Sequence, residues 1–512
     1  MRPTDTPSVD VVVDVAVDVV VVGAGLGGVS AALRAAEAGL RVTLIEAGAT
    51  IGGTAYYSGG GVHIWGAETW DDYRRHSPLS DPALTRALFD GFRPYIDWLA
   101  TTGAPGSYAR TVIRGLGLLK YQLGRTMAPW ARRRWFDHVV RRFEALGGTV
   151  VTGARARRLL RDGGGRIGGV VFDHQGCETR IVAPAVILAA GGFQAAPDLL
   201  SRYIGIPAEA FVQRSVATDV GDGLRLAVEA GAATTPSMDS IYGHLMPAPP
   251  CRIDWRDPMA PITLSAFYAQ HGIVVNRAGR RFVDESAGEL DGTTINAAAR
   301  QPPGLWVVID DRVRRGAARY EVPAELVRLS SLRYVHLLRH ARIHWQGGRW
   351  QGARWQGGRP RLFLDTVAQA EHAGARIVRA DSLADLAARL ADDVDPVALV
   401  AEIAAYNAAL ASGQGAGLPI ARTGNLHRIA QPPFLAIKVG VGVSMTYGGV
   451  AIDVDARALD GAGRAVPGLY AVPGTAGGIH HLNYAGALAA CGVFGMIAAD
   501  TLGRDRVSPP LR

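Results

Sequence analysis

The residues with the most chemistry per position lie near the C-terminus, in GGIHHLNYAG over 477–486. His480, His481, Asn483 and Tyr484 crowd into a glycine-bounded turn, and the apolar pattern ALAACGVFGMIAAD at 487–500 predicts a helix directly after it. Imidazoles and phenols move protons or polarise a carbonyl. A helix N-terminus favours their more negative forms. His244 in YGHLMP (242–247) and Tyr447 in TYGG extend the set. The candidates for proton transfer are therefore Tyr484, His481, His480, His244 and Tyr447. Each histidine also has an ordinary reading as a buried, hydrogen-bonded structural residue.

The element that must position this chemistry begins at the other end of the chain. Gly23-Ala24-Gly25-Leu26-Gly27-Gly28 follows an apolar strand from about Asp18 to Val22 and opens the helical pattern VSAALRAAEAGL. A second strand, RVTLIE, then ends in Glu46, with Ala47 behind it. Gly23, Gly25, Leu26, Gly27 and Gly28 allow a diphosphate to meet a helix N-terminus. Glu46 is placed to accept hydrogen bonds from a ribose diol, and strand, helix, strand and acid together specify a dinucleotide site. A second glycine loop follows at once: Gly52, Gly53, Thr54, Ser58, Gly59, Gly60 and Gly61, with Tyr56 and Tyr57 inside it. Two glycine loops in succession suit a long ligand whose far half runs on along the protein. The strand Val186–Ala190 ending at Ala190, Gly191 and Gly192, the turn at Gly474 and Thr475, Asp222, and the first helical residues Ala487 and Leu488 complete the expected cofactor contacts.

The chain has 512 residues, 48% of them hydrophobic and 64 of them glycine, with a net charge of +8. That supports an α/β globular protein of two or three domains. The arginines, clustered at Arg132, Arg133, Arg134, Arg141 and Arg142, read as solvated faces, so no nucleic acid is expected. Cys177, Cys251 and Cys491 show neither metal spacing nor a disulfide framework, so no metal is expected and a reducing, cytoplasmic setting is. No signal peptide and no 18-residue apolar span is read, hence no transmembrane segment. Residues 345–359, WQGGRWQGARWQGGR, repeat a pentad three times, too few for a solenoid; they read as an Arg/Trp-decorated hairpin or loop, with a partner surface as the alternative.

GAGLGG, GGTAYYSGGG, VILAAGGF, YGHLMP, NRAGRRFVDES (276–286), LVAEIAAYNAAL (399–410), TYGGVAIDVDARAL (446–459), VPGLYAVPGTAGGIH and ALAACGVFGMIAAD together resemble the flavoprotein family of fumarate reductases and 3-ketosteroid dehydrogenases. They span nearly the whole chain in family order. The resemblance implies FAD. It also implies a Rossmann-like FAD-binding domain in two chain segments, 1–235 (1–17 a flexible extension) and 425–512, with an inserted α+β cap or substrate domain at 236–424. Covalent members carry a histidine in the segment matching GGTAYYSGGG; this chain has none there, so noncovalent FAD is expected.

The resemblance also locates departures. Where the fumarate reductases place dicarboxylate-binding arginines and a histidine, this chain has Glu289, Met445 and Tyr484. His244 matches the family's remaining substrate histidine. A doubly anionic substrate wants bidentate guanidinium partners, so a neutral, largely apolar carbonyl compound such as a cyclic ketone or ketosteroid is expected instead. The reaction would be α,β-dehydrogenation with hydride transfer to the flavin. An ene-reductase running the reverse and a flavin-bound protein without turnover are the alternatives. The small-molecule substrate and the electron acceptor or donor are left unnamed. The ketosteroid dehydrogenases carry a base tyrosine soon after the stretch matching Glu285-Ser286, and AGELDGTTIN has none. The acid of the family's GLYAAGE pattern is also replaced, in GLYAVPGT, so Thr475 is the expected compensating contact.

Overall fold

The computed structural model describes residues 17–64, 69–113, 116–124, 129–207, 210–286, 292–322, 344–346, 349–351, 354–356, 359–484 and 486–507. The expected flexible extension, apart from Val17, and Glu289 lie outside the described residues. The chain divides into two compact units: 1–196, 215–240 and 445–512 form the first, 197–214 and 241–444 the second.

The first unit is organised on a six-stranded sheet. In spatial order its strands are Arg457–Leu459, Ala465–Ala471, Val186–Leu188, Val19–Val22, Val42–Glu46 and Thr149–Thr152. All neighbours run parallel except the first pair. Val19, Val20, Val21 and Val22 are buried without alternation, as a parallel strand covered on both faces requires. Each such side chain contributes roughly 1.5–3 kcal/mol relative to exposure. The helix Leu26–Glu37 packs on this sheet and on the C-terminal helix Ala487–Val507. The helices come so close that a Cβ on Gly495 would stand 2.4 Å from the Gly27 carbonyl oxygen. Arg34 bonds Asp500 at 2.6 Å across the same contact. Two antiparallel sheets are appended: Ala154–Arg161, Ile167–His174 and Cys177–Val182, and Gly61–His63 with Leu116–Leu123 and Gly106–Ile113.

The C-terminal helix corrects one expectation. Over Ala487–Asp505 it is long and apolar enough to cross a membrane, with mean hydropathy 1.3, yet 61% of that stretch is buried inside the protein. Its apolarity serves the packing on the helix Leu26–Glu37 just described.

The second unit is built around the long strand Phe434–Thr446, which pairs with Phe211–Gln213, Leu305–Ile309, Ile241–Pro247 and Ile377–Ala380. The sequence expectation put the chain's return to the first domain at 425; the division falls at 445 because this 13-residue strand finds its partners inside the second unit. Trp306, Val308, Ile273, Leu386, Ile403 and Tyr406 share its core. Glu285 of NRAGRRFVDES is fully buried there between two arginines, accepting from Arg281 at 2.6 Å and Arg422 at 3.0 Å. Both guanidinium groups also face the Tyr406 ring. The WQGGR pentads lie partly outside the described residues. The described parts form two antiparallel pairs, His344–Gln346 with Arg349–Gln351 and Arg354–Gln356 with Arg359–Asp365.

Candidate active site

The first glycine loop of the first unit is shaped by close backbone approach. Gly23 has φ +102°, and a Cβ there would lie 2.3 Å from the Ala189 carbonyl oxygen; one on Gly28 would lie 1.8 Å from the Gly23 oxygen. Only hydrogen fits at either place. Gly25 differs: nothing lies within 4 Å of its Cβ position. It precedes the helix starting at Leu26, whose first turn receives no side-chain cap. This is an open cradle at a helix N-terminus, the arrangement that takes a diphosphate. The second loop abuts it. Gly52 N–H donates to Ala24 O at 2.9 Å, and a Cβ on Gly53 would sit 3.4 Å from Gly25 Cα. The cradle's shape and open helix end fit the diphosphate and flanking sugars of FAD.

Glu46 closes the adjoining end. Its carboxylate accepts from the backbone N–H groups of Ala24 and Gly48, each at 2.7 Å. Burial raises its pKa, and those two bonds oppose the rise. Ala47 follows it directly. Along the second loop, Ser58 donates to Ala55 O at 2.7 Å and accepts from Gly60 N–H at 3.0 Å. Gln122 donates to Gly59 O at 2.9 Å, and a Cβ on Gly61 would meet Lys120 at 3.3 Å. Thr475 donates to Gly191 O at 3.0 Å, and Gly474 stands against Gly191 Cα. Ala190, Gly191 and Gly192 thus join the strand Val186–Leu188 to the Gly474–Thr475 turn. Ala487 and Leu488 open the C-terminal helix. Asp222 is turned elsewhere: its carboxylate takes two bonds from Arg155, at 2.9 and 3.0 Å. Three residues earlier, Asp219 is the carboxyl that lies against Gly191.

The ring cluster belongs to the same unit. Tyr447 and His480 have centroids 5.3 Å apart, His480 and Tyr484 6.4 Å, and Tyr484 and His63 6.2 Å. His480 is 2% exposed, and neither ring nitrogen has a hydrogen-bond partner among the described residues. Burial lowers its pKa to about 4, so it is neutral at pH 7. His63 is also lowered to about 4, by burial first and by Lys120 second, while its bond to Gly61 O opposes this. The turn carrying the cluster is pinned at both sides. Leu482 adopts φ +61° and donates N–H to Ser240 Oγ at 2.8 Å, and Asn483 Nδ2 donates to His76 O at 2.8 Å. A bulky residue in the left-handed region is uncommon and persists only where the surroundings hold it. His481 places its Nε2 3.7 Å from Asp239 Oδ1. Tyr56 and Tyr57 pack edge to face at 5.2 Å.

His63 is the residue the sequence reading missed. It stands two positions beyond Gly61, and a Cβ on Gly486 would lie 2.0 Å from its carbonyl oxygen. That contact seats the Tyr484 turn on the strand Gly61–His63. A polar residue directly after a cofactor-lining glycine loop was the available signal.

His244 lies in the second unit, on the strand Ile241–Pro247. Its ring meets Tyr242 at 5.3 Å and Phe267 at 5.2 Å. Burial, with Arg214 adding to it, holds its pKa well below the ordinary histidine value. Arg214 donates to Ser265 Oγ, Pro261 O and Ser444 Oγ. A pocket beside His244 is lined by Leu245, Ala266, Phe267, Ile295 and Thr294.

The FAD binding domain family matches residues 18–489. The chain belongs to this family. It is an FAD-dependent oxidoreductase, and its homologues act on carbon–carbon bonds. It is 26% identical to a fumarate reductase (cytochrome) of Shewanella frigidimarina, over 94% of this chain and 76% of that one. It is 24% identical to 4-oxocyclohexanecarboxylate 2-dehydrogenase of Sinomonas cyclohexanicum, over 95% of this chain and 92% of the other. The fold matches 3-ketosteroid Δ1-dehydrogenase from Sterolibacterium denitrificans with a TM-score of 0.70 at 18% identity, covering 96% of this chain and all of that one. The α/β flavoprotein fold expected from the sequence is therefore shown, and so is FAD as the cofactor.

Proposed function

We propose that this flavoprotein dehydrogenates a neutral, largely apolar carbonyl compound, such as a cyclic ketone, between its α and β carbons. The observation that carries the reading is the ring cluster. Tyr484, His480, Tyr447 and His63 assemble with two neutral imidazoles, and no arginine is among them. Lys120 lies beside His63, and burial lowers its pKa.

Bound FAD supplies the hydride acceptor for the β hydrogen. The chain handles the proton and the oxygen. His480, neutral and buried, donates N–H to the carbonyl oxygen and stabilises negative charge developing there, as an uncharged imidazole can. Tyr484 takes the α proton. It stands three residues before the helix Ala487–Val507. Tyr447 packs on His480 and fixes its ring. The carbon skeleton loses one hydride and one proton and gains a double bond.

The reaction named for the Sinomonas relative supports the cyclic ketone, and that relative's substrate also carries one carboxylate. Anaerobic bleaching of the flavin by cyclohexanone-type ketones, by 4-oxocyclohexanecarboxylate and by succinate separates the possibilities. Bleaching by the carboxyl-free ketones supports the proposal; bleaching by succinate alone contradicts it. The proposal includes noncovalent FAD: acid precipitation should release all the flavin to the supernatant, and flavin left on the pellet would contradict that point.

A further inference from the structure

Asp219 is 7% exposed and touches the second glycine loop, through Thr54, and the Gly191 turn. Thr54 Oγ1 and Gln194 Nε2 both donate to the same oxygen, Oδ2, each at 2.7 Å. Oδ1 accepts no hydrogen bond among the described residues. It lies over Gly191, 2.3 Å from where a Cβ would stand. Gln194 Oε1 is also buried without a partner, 2.5 Å from the Cβ position of Gly192. The buried Gln194 oxygen without a partner is costly unless a ligand completes it, and Oδ1 of Asp219 faces the same glycine turn.

The surroundings decide which protonation state completes it. The ionisable groups that face Asp219 are Glu46, from the end of its strand, and Cys491, from the C-terminal helix. Both are acids, and no basic group acts on the carboxyl among the described residues. Burial foremost, with Glu46 adding to it, pushes Asp219 up to about 7 against the Thr54 and Gln194 bonds. A cofactor diphosphate nearby would push the same way. Because both protein donors occupy Oδ2, the proton belongs on Oδ1.

We propose that Asp219 is a direct FAD contact that binds as a neutral carboxyl, its Oδ1–H donating to an oxygen of the cofactor. FAD binding is then linked to one proton. This rests on FAD as the cofactor and not on the identity of the substrate, so it can fail while the proposed reaction stands.

The test is FAD affinity of the apoprotein, read by quenching of flavin fluorescence between about pH 6 and about pH 8.5, for wild type, Asp219→Asn and Asp219→Ala. The wild type should lose affinity by up to about tenfold per pH unit above neutrality. Asp219→Asn keeps an N–H donor where the Oδ1–H stood, so it should bind at high pH as tightly as wild type at low pH, with a flat profile. Asp219→Ala should bind weakly throughout. Matching thermal unfolding midpoints of the wild-type and Asn apoproteins would confirm that the difference lies in the cofactor contact. The proposal is overturned by a wild-type affinity that is flat or rises with pH, by an Asn variant that binds weakly at every pH, or by a pH slope that persists in the Asn variant.

Discussion

The imidazole of His480 and the phenol ring of Tyr484 lie stacked, centroids 6.4 Å apart and planes 25° from parallel. Three residues of sequence separate them, and the left-handed Leu482 turns the chain between them. One ring is a buried neutral donor without a protein partner, and the other stands beside a helix N-terminus. Neither alone would define a reaction. Together they offer a hydrogen bond for a carbonyl and an acceptor for the proton next to it.

His480 should make the protein acid-sensitive. Its folded pKa is below its unfolded value, so the unfolded chain binds the extra proton first. The stability it contributes is full above about pH 6.5 and is lost as pH falls towards about 4. The loss at that site amounts to about 3 kcal/mol. Unfolding midpoints measured from neutral pH downwards should fall less steeply in His480→Gln than in wild type. Equal slopes would show that the imidazole is not held neutral.

Gly25→Ala should separate folding from cofactor binding. The added methyl meets no protein atom within 4 Å, and the backbone there, φ −70°, suits any residue. Apoprotein stability should stay within about 0.5 kcal/mol of wild type. FAD affinity should drop at least about tenfold, because the methyl fills the space left for the diphosphate. Unchanged affinity in a titration would move the cofactor elsewhere.

Glu285→Gln should act on stability. The carboxylate neutralises two fully buried guanidinium groups, and breaking such a set costs about 3–5 kcal/mol. Denaturant unfolding should show that loss, while the variant that remains folded keeps a full complement of FAD. A variant as stable as wild type would show that the arginines find other partners.

Much of this was legible in the chain. GAGLGG, the strand before it and Glu46 announce the cradle, because their function rests on contacts within about 25 residues. What was missed depends on contacts far apart in sequence. Arg155, 67 positions from Asp222, bonds its carboxylate, and Asp219 is the carboxyl that lies against Gly191. His63 acquires its role only because Gly486, near the other end of the chain, lets the Tyr484 turn close on it. The second segment's start was misplaced because a long buried strand reads the same whichever sheet receives it.

Tyr484 is proposed to take the α proton of a carbonyl substrate. The most direct measurement is anaerobic reduction of the bound flavin by a cyclic ketone, followed at the flavin absorbance, in wild type and Tyr484→Phe with equal FAD content. Wild type should bleach, and the variant should bleach at a rate about 10²–10⁴-fold lower. Equal rates in the two proteins would contradict it.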